Sequence, residues 1–471
     1  MSLENVSRRE FLRRALVLAA AAAPFVQTAS GLLVPAAYAE TDTDERPSLQ
    51  ENINKMLSEE DAKVEEARQR IYIDLTDVKG FANKREVAKA HLRAIEALAK
   101  NEKLPLDGKF FDGLERRLAE LTGKEEHPML PPGETHQREI EQVVFTAYDR
   151  ARQSIRLRQL RINPGTAFQD FVFVPRGNYT IGIPRAEIER YIEHLERTSV
   201  VFHERSPYTN IKERFLAMSP SQEVLVDDFF ISRIPITNAQ LDRFMRSDAA
   251  GRYGIEVLNF EALDQRTKDG YREMQEAFWR NGTFTKGTED YPVLFTNRRT
   301  METYAAWIGK ELTGKEGRLP TTFEGEAAGR GATRSVFSYG TQYREHWEKL
   351  GAKRSNRTEI EGNTDVWQWT PNRHLSRDTR FQSTFGVKWM GVIGNILLET
   401  NREARYGTRE TTLSGKYGAM GGGTGSYVGT PGTMEMVSYR SEVSDADINI
   451  LYNLGFRVVI PAKNLQAQTI K

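Results

Sequence analysis

The sequence predicts an α+β protein: an α-helical region followed by a loop-rich domain of short strands and helices. Two observations carry this expectation. Apolar residues recur at spacings of three and four from about Glu51 to Leu160. At Asn163-Pro164-Gly165 that period gives way to short aromatic and β-branched runs separated by glycines.

Residues 1–39 read as a targeting segment. Ser7-Arg8-Arg9-Glu10-Phe11-Leu12-Arg13 matches the S-R-R-x-F-L-K pattern of twin-arginine signals, with Arg in place of the last Lys. An alanine-rich apolar run follows from Ala15, and Ala37-Tyr38-Ala39 offers a small-x-small cleavage site before Glu40. The competing reading is a membrane anchor. Pro24, Gln27 and Pro35 interrupt the run short of the ~20 apolar residues a span needs, so no stable membrane span is expected in the mature chain. Export by the twin-arginine route with cleavage after Ala39 implies a periplasmic location.

Residues 40–50 are polar and read as a disordered leader. Residues 51–165 form the helical region. Val87, Ala90, Ala94, Ile95 and Leu98 fall on one helical stripe, and Ile140, Val143, Val144, Ala147, Ala151 and Ile155 on another. Pro105, Pro128, Pro131, Pro132 and Gly133 divide the region into three or four helices. A bundle packed on the following domain is the simpler expectation, and a partner-docking or dimerising arm is the alternative. Residues 166–465 form the second domain.

Composition sets limits. The chain carries 66 Lys+Arg against 65 Asp+Glu, which gives no electrostatic attraction to nucleic acid or anionic lipid. It contains no cysteine, and therefore no disulfide, no thiolate nucleophile and no soft thiolate site for copper, zinc or an iron–sulfur cluster.

The second domain carries a series of short motifs in a recognisable order. Arg318-Leu319-Pro320-Thr321-Thr322-Phe323-Glu324-Gly325-Glu326-Ala327-Ala328-Gly329-Arg330-Gly331 is the longest. Before it come Phe173-Val174-Pro175-Arg176-Gly177-Asn178-Tyr179, Val224–Ile231, Ile234–Phe244 and Tyr291-Pro292-Val293 with Tyr304-Ala305-Ala306-Trp307. After it come Tyr339-Gly340, Asp365-Val366-Trp367-Gln368-Trp369-Thr370, Gly425-Ser426-Tyr427, Tyr439-Arg440-Ser441 and Asn453-Leu454-Gly455-Phe456-Arg457. In kind and order these resemble the formylglycine-generating enzyme, or sulfatase-modifying factor, family. The resemblance implies a formylglycine-generating-enzyme-like (C-type-lectin-like) fold and does not cover residues 40–165. Thr237 and Asn238 are natural caps for a following helix. Arg318, Glu324, Glu326, Arg330 and Arg457 read as buried ion-pair partners that hold loops in register, which is weak evidence of function.

The departures from the family pattern bear on chemistry. Family members that make formylglycine bind copper through two cysteines just after the G-G-S-Y stretch. Here those positions fall at Gly429 and near Met434, and Ala306 stands where another cysteine is common. Formylglycine generation by copper and thiolates is therefore not expected. The iron-dependent sulfoxide-synthase branch carries a histidine-rich helical domain. This helical region has only His91, His127 and His136, in no H-x-x-x-H-x-E pattern, so iron is not supported. Family members commonly bind Ca²⁺ in the N-x-x-G-N-x-W-E-W segment. The resemblance puts Glu361, Thr364, Val366 and Gln368 at those ligand positions, with amide and carboxylate exchanged, and oxygen donors of this kind suit a hard cation. A polar turn that has lost its metal is the alternative.

Gly421-Gly422-Gly423-Thr424-Gly425-Ser426 lacks the G-x-x-x-x-G-K-[S/T] spacing of a phosphate loop. Its glycines instead suit a chain lining a groove, with Ser426, Tyr427, Tyr439 and Arg440 as candidate groove residues. No Ser/His/Asp order or paired-carboxylate spacing points to hydrolysis. The leading expectation is a periplasmic binding or assembly component that takes a peptide or protein partner in the former substrate groove, with the helical region helping it dock. The alternative is a periplasmic oxidase or tailoring enzyme acting on a secreted metabolite, resembling pyoverdine-maturation proteins, without formylglycine chemistry.

Overall fold

The computed structural model describes residues 49–121, 129–198, 218–251, 279–334 (apart from 281, 291, 292, 294, 295 and 297) and 454–466. It also describes residue 265 and five short strands between 395 and 443. Four helices lead: α1 (Leu49–Asp77), α2 (Phe81–Asn101), α3 (Gly108–Glu120) and α4 (Glu134–Gln159). Asp107 caps α3 by accepting a hydrogen bond from the Phe110 backbone N–H at 3.0 Å. Gly133, at φ 82°, turns the chain into α4.

The bundle core joins Ile71 and Leu75 of α1 to Ala88 and Leu92 of α2, Phe111, Leu114 and Leu118 of α3, and Ile140, Val143, Val144 and Ala147 of α4. The stripe expected on α4 is the buried one, with Ile155 half-buried at its end. The stripe expected on α2 holds in part, with Val87 and Ile95 packed half-buried against the core. Ala90 and Ala94 face solvent, and the buried face is Ala88, His91, Leu92 and Ala99. Alanine is common on both faces of a helix, so a stripe counted on alanines fixes its phase poorly.

A three-stranded sheet follows, in the order β1 (Phe171–Val174), β4 (Phe229–Ser232), β11 (Val459–Pro461), all antiparallel. Its strands read as continuous apolar runs because both faces are covered. Phe171, Phe173 and Phe230 pack on one side with Phe244, Trp279, Met301, Tyr304 and Phe456. Val172, Val174, Phe229 and Ile231 pack on the other with Tyr179, Ile181, Val226, Ala327 and Ala328.

The Val224–Ile231 motif spans two strands. Residues Gln222–Val226 form β3, which pairs antiparallel with β2 (Gly177–Ile181) in a separate two-stranded sheet, and β4 begins only at Phe229. Asp228 breaks the run. Its carboxylate accepts the Arg176 backbone N–H at 2.7 Å and the Arg156 guanidinium at 2.9 Å, so the chain bends from one sheet to the other there.

Helix α5 (Arg185–Thr198) follows β2. Helix α6 (Asn238–Met245) is capped by Thr237 in a reciprocal box with Gln240. Asn238 is the first helical residue, and its amide is spent on Trp279 and Thr288. Helices α7 (Arg298–Thr313) and α8 (Thr322–Arg330) come next, joined by the start of the longest motif.

A second sheet runs β10 (Leu454–Phe456), β5 (Asn395–Glu399), β8 (Tyr417–Met420), β9 (Arg440–Val443), and β6 (Arg405–Tyr406) pairs with β7 (Thr411–Thr412). The protein is α+β.

Candidate functional site

The signature segment starts on the first sheet and ends against the helical region. Arg318 exchanges both backbone hydrogen bonds with Val459 of β11, at 2.9 and 2.7 Å. Its guanidinium then grips the Glu324 carboxylate, with Nη1 at 2.7 Å from Oε2. Glu324 also accepts the Thr321 backbone N–H at 2.8 Å while Thr321 Oγ1 accepts the Glu324 N–H, a capping box that starts α8. One carboxylate thus aligns the strand bridge with the helix start.

The other two charges of the signature are deeply buried. Arg330 Nη2 lies 3.0 Å from Glu326 Oε1, with side-chain exposures of 3% and 0%. Both engage Gly182: Glu326 accepts its N–H at 2.7 Å and Arg330 donates to its carbonyl at 2.9 Å. Gly182 sits at φ 83°, and a Cβ there would come within 2.3 Å of the Pro220 carbonyl oxygen, so the turn that presents both backbone groups needs glycine. Burial lowers the basicity of Arg330, and the Glu326 carboxylate opposes that effect.

Immediately after α8 the chain is seized by the helical region. The Ala332 N–H donates to Asp149 Oδ2 of α4 at 2.9 Å, and the Ala332 carbonyl accepts from the Tyr72 hydroxyl of α1 at 2.6 Å. Arg334 pairs with Glu141 at 2.8 Å, and Arg138 donates to the Arg334 carbonyl at 3.0 Å while holding Glu187 of α5 at 2.6 Å. Burial pulls the Arg138 basicity down, but Glu187 and Glu134 outweigh it and leave the group more basic than usual. Further along α4, Gln153 donates to the Phe173 carbonyl, Arg152 to the Arg176 carbonyl, and Arg156 holds Asp228.

Of the two expectations for the helical region, packing on the domain is what these contacts show. Sequence reading misses this polar seam because arginines on a helix ordinarily mark its solvated face. The one hint is that charged residues occur all round α4.

Helix α8 lies against β2 and β3 and also against β5 and β8. Strands β8 and β9 are antiparallel, with Met420 opposite Arg440. Arg440 therefore opens β9 beside the last residue of β8, and residues 421–439 connect the two ends. Ser426, Tyr427 and Tyr439 belong to that connection and lie outside the described residues, as do Gly429 and Met434. Glu361, Thr364, Val366 and Gln368 also lie outside them.

The chain has no cysteine, so it has no copper–thiolate site. Among the described residues, no three His, Asp or Glu side chains are grouped to hold a metal ion. His91 sits 3.3 Å from Asp74, and His136 meets the Phe81 ring edge-on at 5.7 Å between centroids. His127 lies outside the described residues. No helix among the described residues is long and apolar enough to cross a membrane. A search of curated proteins returns no match to the chain. The family model described as the sulfatase-modifying factor enzyme 1-like domain matches residues 158–462.

Proposed function

The chain belongs to the sulfatase-modifying factor enzyme 1-like family, and from that premise we propose that it is an exported binding or assembly component. Its occupant would be a peptide or protein segment taken between residues 421–439 and Arg440. The observation that carries this reading is the absence of any thiol from a family domain whose copper chemistry requires two. Without thiolates the domain keeps its scaffold and lacks the copper site. A glycine-rich connection that carries Ser426, Tyr427 and Tyr439 and leads into Arg440 is suited to accepting an extended backbone and hydrogen-bonding to it.

Export rests on the Ser7–Arg13 signal, with cleavage after Ala39 giving a periplasmic protein. Calcium at Glu361, Thr364, Val366 and Gln368 belongs to the same reading. The Glu361 carboxylate, the Gln368 amide and the backbone carbonyls of Thr364 and Val366 would form an oxygen donor set for a hard cation that would brace the loop.

Metal analysis of the chain purified from the periplasm tests the proposal. Calcium alone, or no metal, agrees with a binding component. Stoichiometric iron or copper would overturn it in favour of an oxidase or tailoring enzyme acting on a secreted metabolite.

A further inference from the structure

Helix α8 is the element that joins the helical region to the second sheet. It touches β5 and β8 as well as β2 and β3. Strand β8 pairs with β9, whose first residue is Arg440. The residues that leave α8 are held from outside their own domain. Gly331, at φ 66°, closes the helix, and its N–H still donates to the Ala327 carbonyl at 2.8 Å. Ala332 comes next, buried, and its two backbone groups go to two different helices of the leading region. Its N–H donates to Asp149 of α4 at 2.9 Å, and its carbonyl accepts from the Tyr72 hydroxyl of α1 at 2.6 Å. The Arg334 guanidinium then lies over the Tyr72 ring, 5.1 Å from the centroid, and the Arg334 carbonyl accepts from Arg138.

Tyr72 is where this clamp closes. Its ring packs on Phe145 of α4 at 4.7 Å between centroids, so α1 and α4 meet at the side chain that holds Ala332. The same two helices grip the strand pair beneath α8. Arg68 of α1 reaches Glu223 of β3 at 3.1 Å, and Arg152 of α4 donates to the carbonyl of Arg176, just before β2. Hydrogen bonds to buried backbone groups are costly to release, because water does not replace them. A helix fastened in this way, and packed on two strand pairs, passes a shift at its end to the strands that rest on it.

We propose that Tyr72 and Asp149 are positioning residues for the candidate groove: by clamping Ala332 they hold α8, and through it the β5, β8 and β9 strands that lead to Arg440. The helical region then serves a site within its own chain. The functional meaning of this coupling rests on the reading of Arg440 as a groove residue, whereas the coupling itself rests on the contacts above.

Hydrogen-exchange mass spectrometry on the full mature chain tests it with no occupant present. Y72F removes one hydroxyl and keeps the ring, and D149A removes the other partner of Ala332. I71V trims the neighbouring core residue of the same helix and leaves both hydrogen bonds of the clamp in place. Under native conditions Y72F and D149A should each speed exchange of peptides spanning residues 417–420 and 440–443 about fivefold or more. I71V should leave those peptides as in the wild type and speed exchange within the bundle alone. Faster exchange in Y72F confined to the helices and residues 330–334, or an equal effect of I71V on β8 and β9, would overturn the proposal. Y72F carries the test alone if D149A does not fold. Failure here leaves the groove reading to its metal analysis, and failure of that analysis leaves the exchange result unchanged.

Discussion

The Asp149 carboxylate holds the Ala332 backbone N–H at 2.9 Å across 183 positions of sequence, fastening α4 to the residue that follows the signature helix and its terminal glycine. Both partners are buried, Asp149 fully and Ala332 at 1% exposure. Removing the acceptor strands a backbone donor away from water, at about 1–3 kcal/mol. D149A should lower the unfolding free energy by that amount, while D149N, which keeps an oxygen in place, should cost less. Trp fluorescence during urea unfolding reads both, and equal loss in the two variants would show that the hydrogen bond is not the source.

The Glu326–Arg330 pair predicts an asymmetry between single and double substitution. Breaking a fully buried pair leaves one charge uncompensated, at about 3–5 kcal/mol, whereas replacing both members with apolar residues of similar volume is often neutral or stabilising. Here the double change also removes the partners of Gly182. E326L/R330M should therefore be more stable than E326L alone yet below wild type in urea unfolding. A double variant no more stable than E326L would show that the stranded Arg330 charge is not the main cost of losing Glu326.

Thr321 starts α8 through its hydroxyl. T321A should cost about 0.5–2 kcal/mol, and T321S should restore most of it. Because Glu324 also binds Arg318, E324A should cost more than T321A. Thermal melts followed by circular dichroism order the three.

His91 predicts a pH dependence. Burial holds it below the usual histidine range, against the pull of Asp74. Its folded pKa is therefore below its unfolded value, so the unfolded chain binds the proton first as pH falls. The stability it contributes is present above about 6.5 and is lost as pH falls towards the folded pKa. Between pH 7.5 and 5.5 the wild type should lose more stability than H91Q. Parallel melting-temperature profiles for the two proteins would contradict this.

Much of the fold is legible without coordinates. The α4 stripe, the Thr237 helix start and the Glu324–Arg318 pair follow from local spacing, because the partners are three to six residues apart. The α2 face is legible at Val87 and Ile95, which pack on the core, and not at Ala90 and Ala94, because alanine marks a buried face poorly. Nor is the split of Val224–Ile231, because Asp228 has its partners at Arg156 and Arg176, more than fifty positions upstream. The candidate groove is legible as composition only: Arg440 is placed on β9, while Ser426, Tyr427 and Tyr439 lie outside the described residues.

The sequence by itself determined that this is an α+β member of its family with no thiolate chemistry, since residue identity alone settles which donors exist. Only the tertiary structure decided that residues 49–159 and the domain share one seam. Asp149 with Ala332, Arg138 with Glu187 and Arg156 with Asp228 are charges and dipoles that find each other after packing has removed the water between them. No local pattern in the sequence records which of many arginines lose that water.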